Sequence, residues 1–84
     1  MERSEVSKKI RTILNEEKTL PEGALDDGGR SLEDLGFDSL DALNIIFAIE
    51  EEFDITVDDD EARSLRTIDQ LVDAVMLHLE SEDS

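Results

Sequence analysis

Between Leu40 and Phe53 the chain reads "LDALNIIFAIEEEF", and no single helical face can hold its apolar residues. At about 100° per residue, Ala42, Ile45, Ile46, Ile49 and Phe53 share one broad arc. Leu40, Leu43 and Phe47 fall on the other side, beside Asn44, Glu50 and Glu51. In a chain of 84 residues one arc must face the core, and the first is wider and richer in β-branched side chains. The second is then at least partly exposed, a small apolar patch rimmed by acids, which is the form of a partner-docking surface. The alternative is that the second arc packs beneath a neighbouring loop, against Leu35 and Phe37.

The rest of the chain reads as further helices around that central one. Val6, Ile10, Ile13 and Leu14 recur at i, i+4, i+7 and i+8 and predict a first helix from about Ser4 to Glu17, stopped by "TLPEG". Ile68, Leu71, Val72, Val75, Met76 and Leu79 predict a last helix from Ile68 to about Leu79, with Thr67 and Gln70 as its capping box. "DDDEARSL" has acids first and an Arg late, the order a helix dipole favours, and predicts a short helix. Thr19 to Asp38 holds the only Pro and all four Gly, yet Leu25, Leu32, Leu35 and Phe37 punctuate it, so it reads as a long loop pinned by apolar anchors. A loop of that length in a compact domain tends to be functional. Residues 1–84 are expected to form one all-α domain, a small four-helix bundle of three longer helices and one short helix with a long first loop. The polar end "ESEDS" is expected to fray over residues 81–84.

Composition narrows the partners. With three Phe, no Trp and no Tyr the core is aliphatic, and the chain is too short for a second, catalytic domain. A formal charge of −16, from 24 acidic and 8 basic residues, repels nucleic acids and anionic membranes and favours basic partners. No cysteine means no disulfide, no thiolate metal site and no thiol of the chain's own. The N-terminal "MERSEVSKKI" has no apolar run of a signal peptide, and no stretch nears the roughly 20 apolar residues of a membrane span, so a cytoplasmic protein is expected. No metal site is expected either. "DITVDDDEARSL" has the length of a calcium loop but Asp59 where the turn Gly belongs and Leu65 where the bidentate Glu belongs. "DDGGRSL" is no phosphate loop, because no Gly-Lys-Ser/Thr follows its glycines.

Ser39 stands in "FDSL" at the start of the central helix, with Asp38 a natural N-cap, so its hydroxyl falls in the first turn near the surface. Taken alone, Asp-Ser is ordinary helix-start chemistry. Catalysis by Ser39 would need an adjacent base, and the sole histidine, His78, is far along the chain at the edge of the last helix's apolar stripe.

"SLEDLGFDSL", followed by "DALNIIFAIEEEFDI", resembles the acyl carrier proteins over Ser31 to Ile55. In that family the serine of Asp-Ser-Leu, at the start of the second of four helices, carries 4'-phosphopantetheine. The resemblance implies that Ser39, flanked by Asp38 and Leu40, is a substrate hydroxyl modified by a separate phosphopantetheinyl transferase that uses coenzyme A. The thiol missing from the chain would arrive on that group and hold an acyl chain as a thioester. Leu40, Asp41, Leu43, Asn44, Phe47, Glu50 and Glu51 match positions where the family docks acyl-loading and acyl-transfer enzymes with basic surfaces. The chain would act as a monomer with no catalysis of its own. It departs from the family's common pattern at Asn44, where an acid is frequent, at Asp54, where Gly is frequent, and in the pair Gly28-Gly29. A carrier of fatty acid synthesis and a specialised carrier of a polyketide or modified-lipid pathway both fit. An aminoacyl or peptidyl carrier using the same serine and an unmodified acidic interaction module are the alternatives.

Overall fold

The computed structural model describes residues 2–21, 23–26 and 28–83. The stripe of Val6, Ile10, Ile13 and Leu14 becomes the buried face of α1, Arg3–Glu17. The central run becomes α2, Ser39–Phe53, the acidic segment becomes α3, Asp59–Ser64, and the last stripe becomes α4, Ile68–Asp83. α1 packs against both α2 and α4. Ile10, Leu14, Ile45, Ile49, Ile68, Leu71 and three valines form the fully buried centre, so the core is aliphatic as the composition requires. The expected four-helix arrangement is the one the chain adopts. α4 is longer than its apolar stripe. Its backbone stays helical through Asp83 rather than unwinding after Leu79, and Ser84, the end of the expected frayed tail, lies outside the described residues. Polar residues with reasonable helix propensity can extend a helix that tertiary packing has already nucleated.

Capping chemistry sets the helix starts. Thr67 Oγ1 accepts from the N–H of Gln70 at 3.1 Å, while Gln70 Oε1 accepts from the N–H groups of Thr67 and Arg66. Asp58 accepts from the N–H of Glu61 at the start of α3. That short helix contributes no buried residue, and its side-chain tie to α4 is His78, whose Nε2 lies 2.9 and 3.0 Å from the carboxylate oxygens of Glu61.

The long first loop is ordered by its anchors. Leu25, Leu32, Leu35 and Phe37 are all buried. Its middle pairs with the link before α4: Ser31 and Thr67 form an antiparallel bridge, the N–H of Leu32 donates to the Arg66 carbonyl at 2.8 Å, and the N–H of Asp69 donates to the Gly28 carbonyl at 3.0 Å. The Asp69 carboxylate lies where a Cβ on residue 28 would stand, so a larger residue than Gly28 would push that exposed side chain aside. At the loop's end Gly36 takes a positive φ of 93°, and the Lys18 ammonium donates to its carbonyl at 2.7 Å. Among the described residues, no helix is long and apolar enough to cross a membrane.

Candidate functional site

The loop delivers the chain to α2 through buried Phe37, and Asp38 then turns it into a helix. Asp38 Oδ1 accepts from the N–H of Asp41 at 2.8 Å, and Asp41 Oδ2 accepts from the N–H of Asp38 at 3.2 Å, a reciprocal capping box. Ser39 is the first residue of α2 and is exposed. No described residue bonds its hydroxyl, whereas Ser31 Oγ accepts from the N–H of Asp34 and the Ser64 hydroxyl donates to the Glu61 carbonyl. The N–H groups of Ser39 and Leu40, left over at any helix start, take no acceptor from the described fold. With the positive end of the helix dipole they leave unsatisfied donors at the start of α2, where Ser39 stands, and such a helix start favours negative charge. His78 bonds Glu61, and neither it nor any other described residue bonds the Ser39 hydroxyl.

The two arcs of α2 separate as their spacing predicts. Ile45, Ile46, Ile49 and Phe53 are buried and Ala42 is half-buried. Leu40, Leu43 and Phe47 are 66%, 47% and 62% exposed, so the second arc is not covered by the loop. Leu35 and Phe37, the side chains that could have covered it, are part of the core instead. Every charged side chain from Phe37 to Ala62 is acidic, so the segment that bears the apolar patch is strongly negative, with Lys18 reaching the Gly36 carbonyl and Lys9 reaching Glu52 from α1 and its end.

The acids around that patch are not equivalent. Asp41 is half-buried and occupied by the capping box. Glu50 turns inward: its Oε2 accepts from the N–H of Val57 at 3.1 Å, and its carbonyl accepts from the N–H groups of Asp54 and Ile55. It therefore holds the link from α2 to α3. Asn44 Nδ2 donates to Glu17 Oε1 of α1 at 3.2 Å, and Glu52 pairs with Lys9 at 3.0 Å. Glu51 is exposed, one helical turn past Phe47, with no partner among the described residues. Glu17 is the residue that sequence reasoning passed over, because its place beside α2 follows from packing and not from its own neighbours in the chain. Asp54, at the α2 C-cap, adopts φ 54° and ψ 49°, a left-handed conformation that Gly enters without strain and Asp enters at some cost. Among the described residues, no group of three or more His, Asp or Glu could hold a metal ion.

The phosphopantetheine attachment site family matches residues 8–75 of this chain. Among solved structures the chain is similar to the acyl carrier protein of Thermotoga maritima, known from a crystal structure at 2.00 Å resolution. The two share 30% sequence identity with a TM-score of 0.83, over 96% of this chain and 94% of that one.

Proposed function

The chain belongs to the acyl carrier protein family, whose members carry 4'-phosphopantetheine covalently on a serine, and we propose that here the serine is Ser39. The observation that carries this reading is the hydroxyl of Ser39: exposed, unbonded by any described residue, and on the first turn of a capped helix whose first N–H groups are left free. A phosphopantetheinyl transferase would join Ser39 Oγ to the pantetheine phosphorus of coenzyme A as the pyrophosphate bond breaks. Adenosine 3',5'-bisphosphate leaves, and the hydroxyl proton passes to a base of the transferase. The base absent from this chain is thus supplied by its partner, and the chain itself performs no catalysis. The bound group supplies the thiol that this cysteine-free chain lacks, for holding an acyl cargo as a thioester.

The chain's own residues orient and present. Asp38 and Asp41 hold the first turn of α2, which fixes where Ser39 points. Leu40, Leu43 and Phe47 offer an apolar footing, and the acids of α2 attract an enzyme with a basic docking surface and speed the encounter. The transferase and the enzymes that load and remove the acyl group would meet this face one at a time, on a monomer in the cytoplasm. The pathway served is a fatty acid route or a specialised acyl, polyketide or lipid route.

The test is the intact mass after incubation with coenzyme A and a broad-specificity phosphopantetheinyl transferase. Wild type gains one phosphopantetheine and Ser39→Ala gains none. Ser31 and Ser64, which also precede leucines, remain in that variant as internal controls. Modification that persists in Ser39→Ala, or that is absent from wild type, overturns the proposal.

A further inference from the structure

The end of α1 is a poor place for a carboxylate, because a helix C-terminus carries partial negative charge. Yet α1 ends in Glu16-Glu17 with no basic residue in its last turn. The two glutamates differ in what they meet. Glu16 is exposed and lines a groove with Glu5, Lys9, Thr12 and Glu52. Glu17 is half-buried, and its Oε1 accepts from Asn44 Nδ2 at 3.2 Å.

Asn44 lies one turn past Leu40 and three residues before Phe47, on the exposed face of α2. Its amide donates a hydrogen bond but brings no charge, so the pair keeps the full negative charge of Glu17 and fixes its position. The carboxylate therefore stands at the border of the apolar patch. Around the same patch Asp41 is tied into the capping box, Glu50 to the N–H of Val57, and Glu52 to Lys9, which leaves Glu51 at the far end.

We infer that Glu17, held in place by Asn44, is a specificity-determining residue for the basic enzymes that dock on Leu40, Leu43 and Phe47. It supplies from α1 the negative charge that α2 itself does not present at Asn44, on the Leu40 and Phe47 side of the patch. The inference rests on the docking reading given above, and its occupant is a protein with a cationic surface, by charge complementarity with a face that has no Lys or Arg from Phe37 to Ala62.

The probe is the phosphopantetheinyl transferase with coenzyme A, using the chain as substrate in steady-state kinetics at low and at high salt. Glu17→Gln raises KM roughly two- to fivefold at low salt, as expected for one exposed charge pair, with kcat unchanged, and the difference shrinks at high salt. Because this variant removes a carboxylate from a helix C-terminus, it folds at least as well as wild type, so slower loading is not unfolding. Glu16→Gln, which removes the same charge from the groove side, leaves KM as in wild type. Asn44→Asp added to Glu17→Gln puts a carboxylate back at the same border from α2 and restores KM. An unchanged KM for Glu17→Gln, an equal rise for Glu16→Gln, or no restoration by Asn44→Asp overturns the inference while leaving the carrier assignment intact. Wild type that takes up no phosphopantetheine overturns both.

Discussion

Phe47 and Ile49 are two residues apart on one helix, and their fates under truncation should differ sharply. Ile49 is 1% exposed among the core side chains, so Ile49→Ala leaves a cavity that the helices around it can close only in part. Such changes cost about 2–5 kcal/mol. A domain of 84 residues has a total stability of about 4–13 kcal/mol at the usual 0.05–0.15 kcal/mol per residue, so this variant loses a large share and at the upper end does not fold. Ile49→Val keeps the shape and costs about 0.5–1.5 kcal/mol, which lowers the melting temperature by about 2–12 °C at 4–8 °C per kcal/mol. Phe47 is 62% exposed, and its removal stays within about 0.5 kcal/mol, or a few degrees. The functional order is the reverse. Phe47→Ala removes a docking anchor and slows phosphopantetheinylation by about fivefold or more, the cost of 1 kcal/mol or above in binding, whereas folded Ile49→Val is loaded normally. Urea and thermal midpoints followed by circular dichroism, with loading rates measured below every midpoint, decide it. If Phe47→Ala loses as much stability as Ile49→Val and is loaded as fast as wild type, the second arc is core and the docking argument is wrong.

Two further outcomes concern the acids at the end of α2 and the start of α3. Asp54 combines a left-handed backbone with a negative charge at a helix C-terminus whose last turn holds no base, so Asp54→Asn should raise stability by about 0.3–1 kcal/mol and Asp54→Gly by at least as much. The gain of Asp54→Asn should fade in about 1 M salt, where charges are screened beyond about 3 Å; a midpoint no higher than wild type at low salt would count against it. Carboxylates crowded along Glu50 to Glu52 and Asp58 to Glu61 repel one another, so the wild-type melting temperature should rise with sodium chloride and rise further with magnesium at matched ionic strength. Identical midpoints in all three buffers would remove that claim.

Local order was legible in the residues because helices are built from near neighbours. The spacing of Val6 to Leu14 and of Ile68 to Leu79 placed α1 and α4, and Thr67 with Gln70 marked the start of α4 to the residue. Asp38 placed Ser39 in the first turn of α2, and the two arcs of that helix foretold which of its side chains would be buried. Each of these depends on angles and hydrogen bonds reaching four residues or fewer along the chain. What each acid does was not legible in the same way. In a chain with 24 carboxylates, nothing in the local sequence distinguishes Glu50, which holds the N–H of Val57, from Glu51, which faces solvent. Nor does it show that Asn44 meets Glu17, that His78 meets Glu61, or that the carboxylate of Asp69 lies against Gly28. A carboxylate is assigned by the donor that reaches it, and here those donors arrive from other helices and loops, so only the packing of the elements against one another could decide.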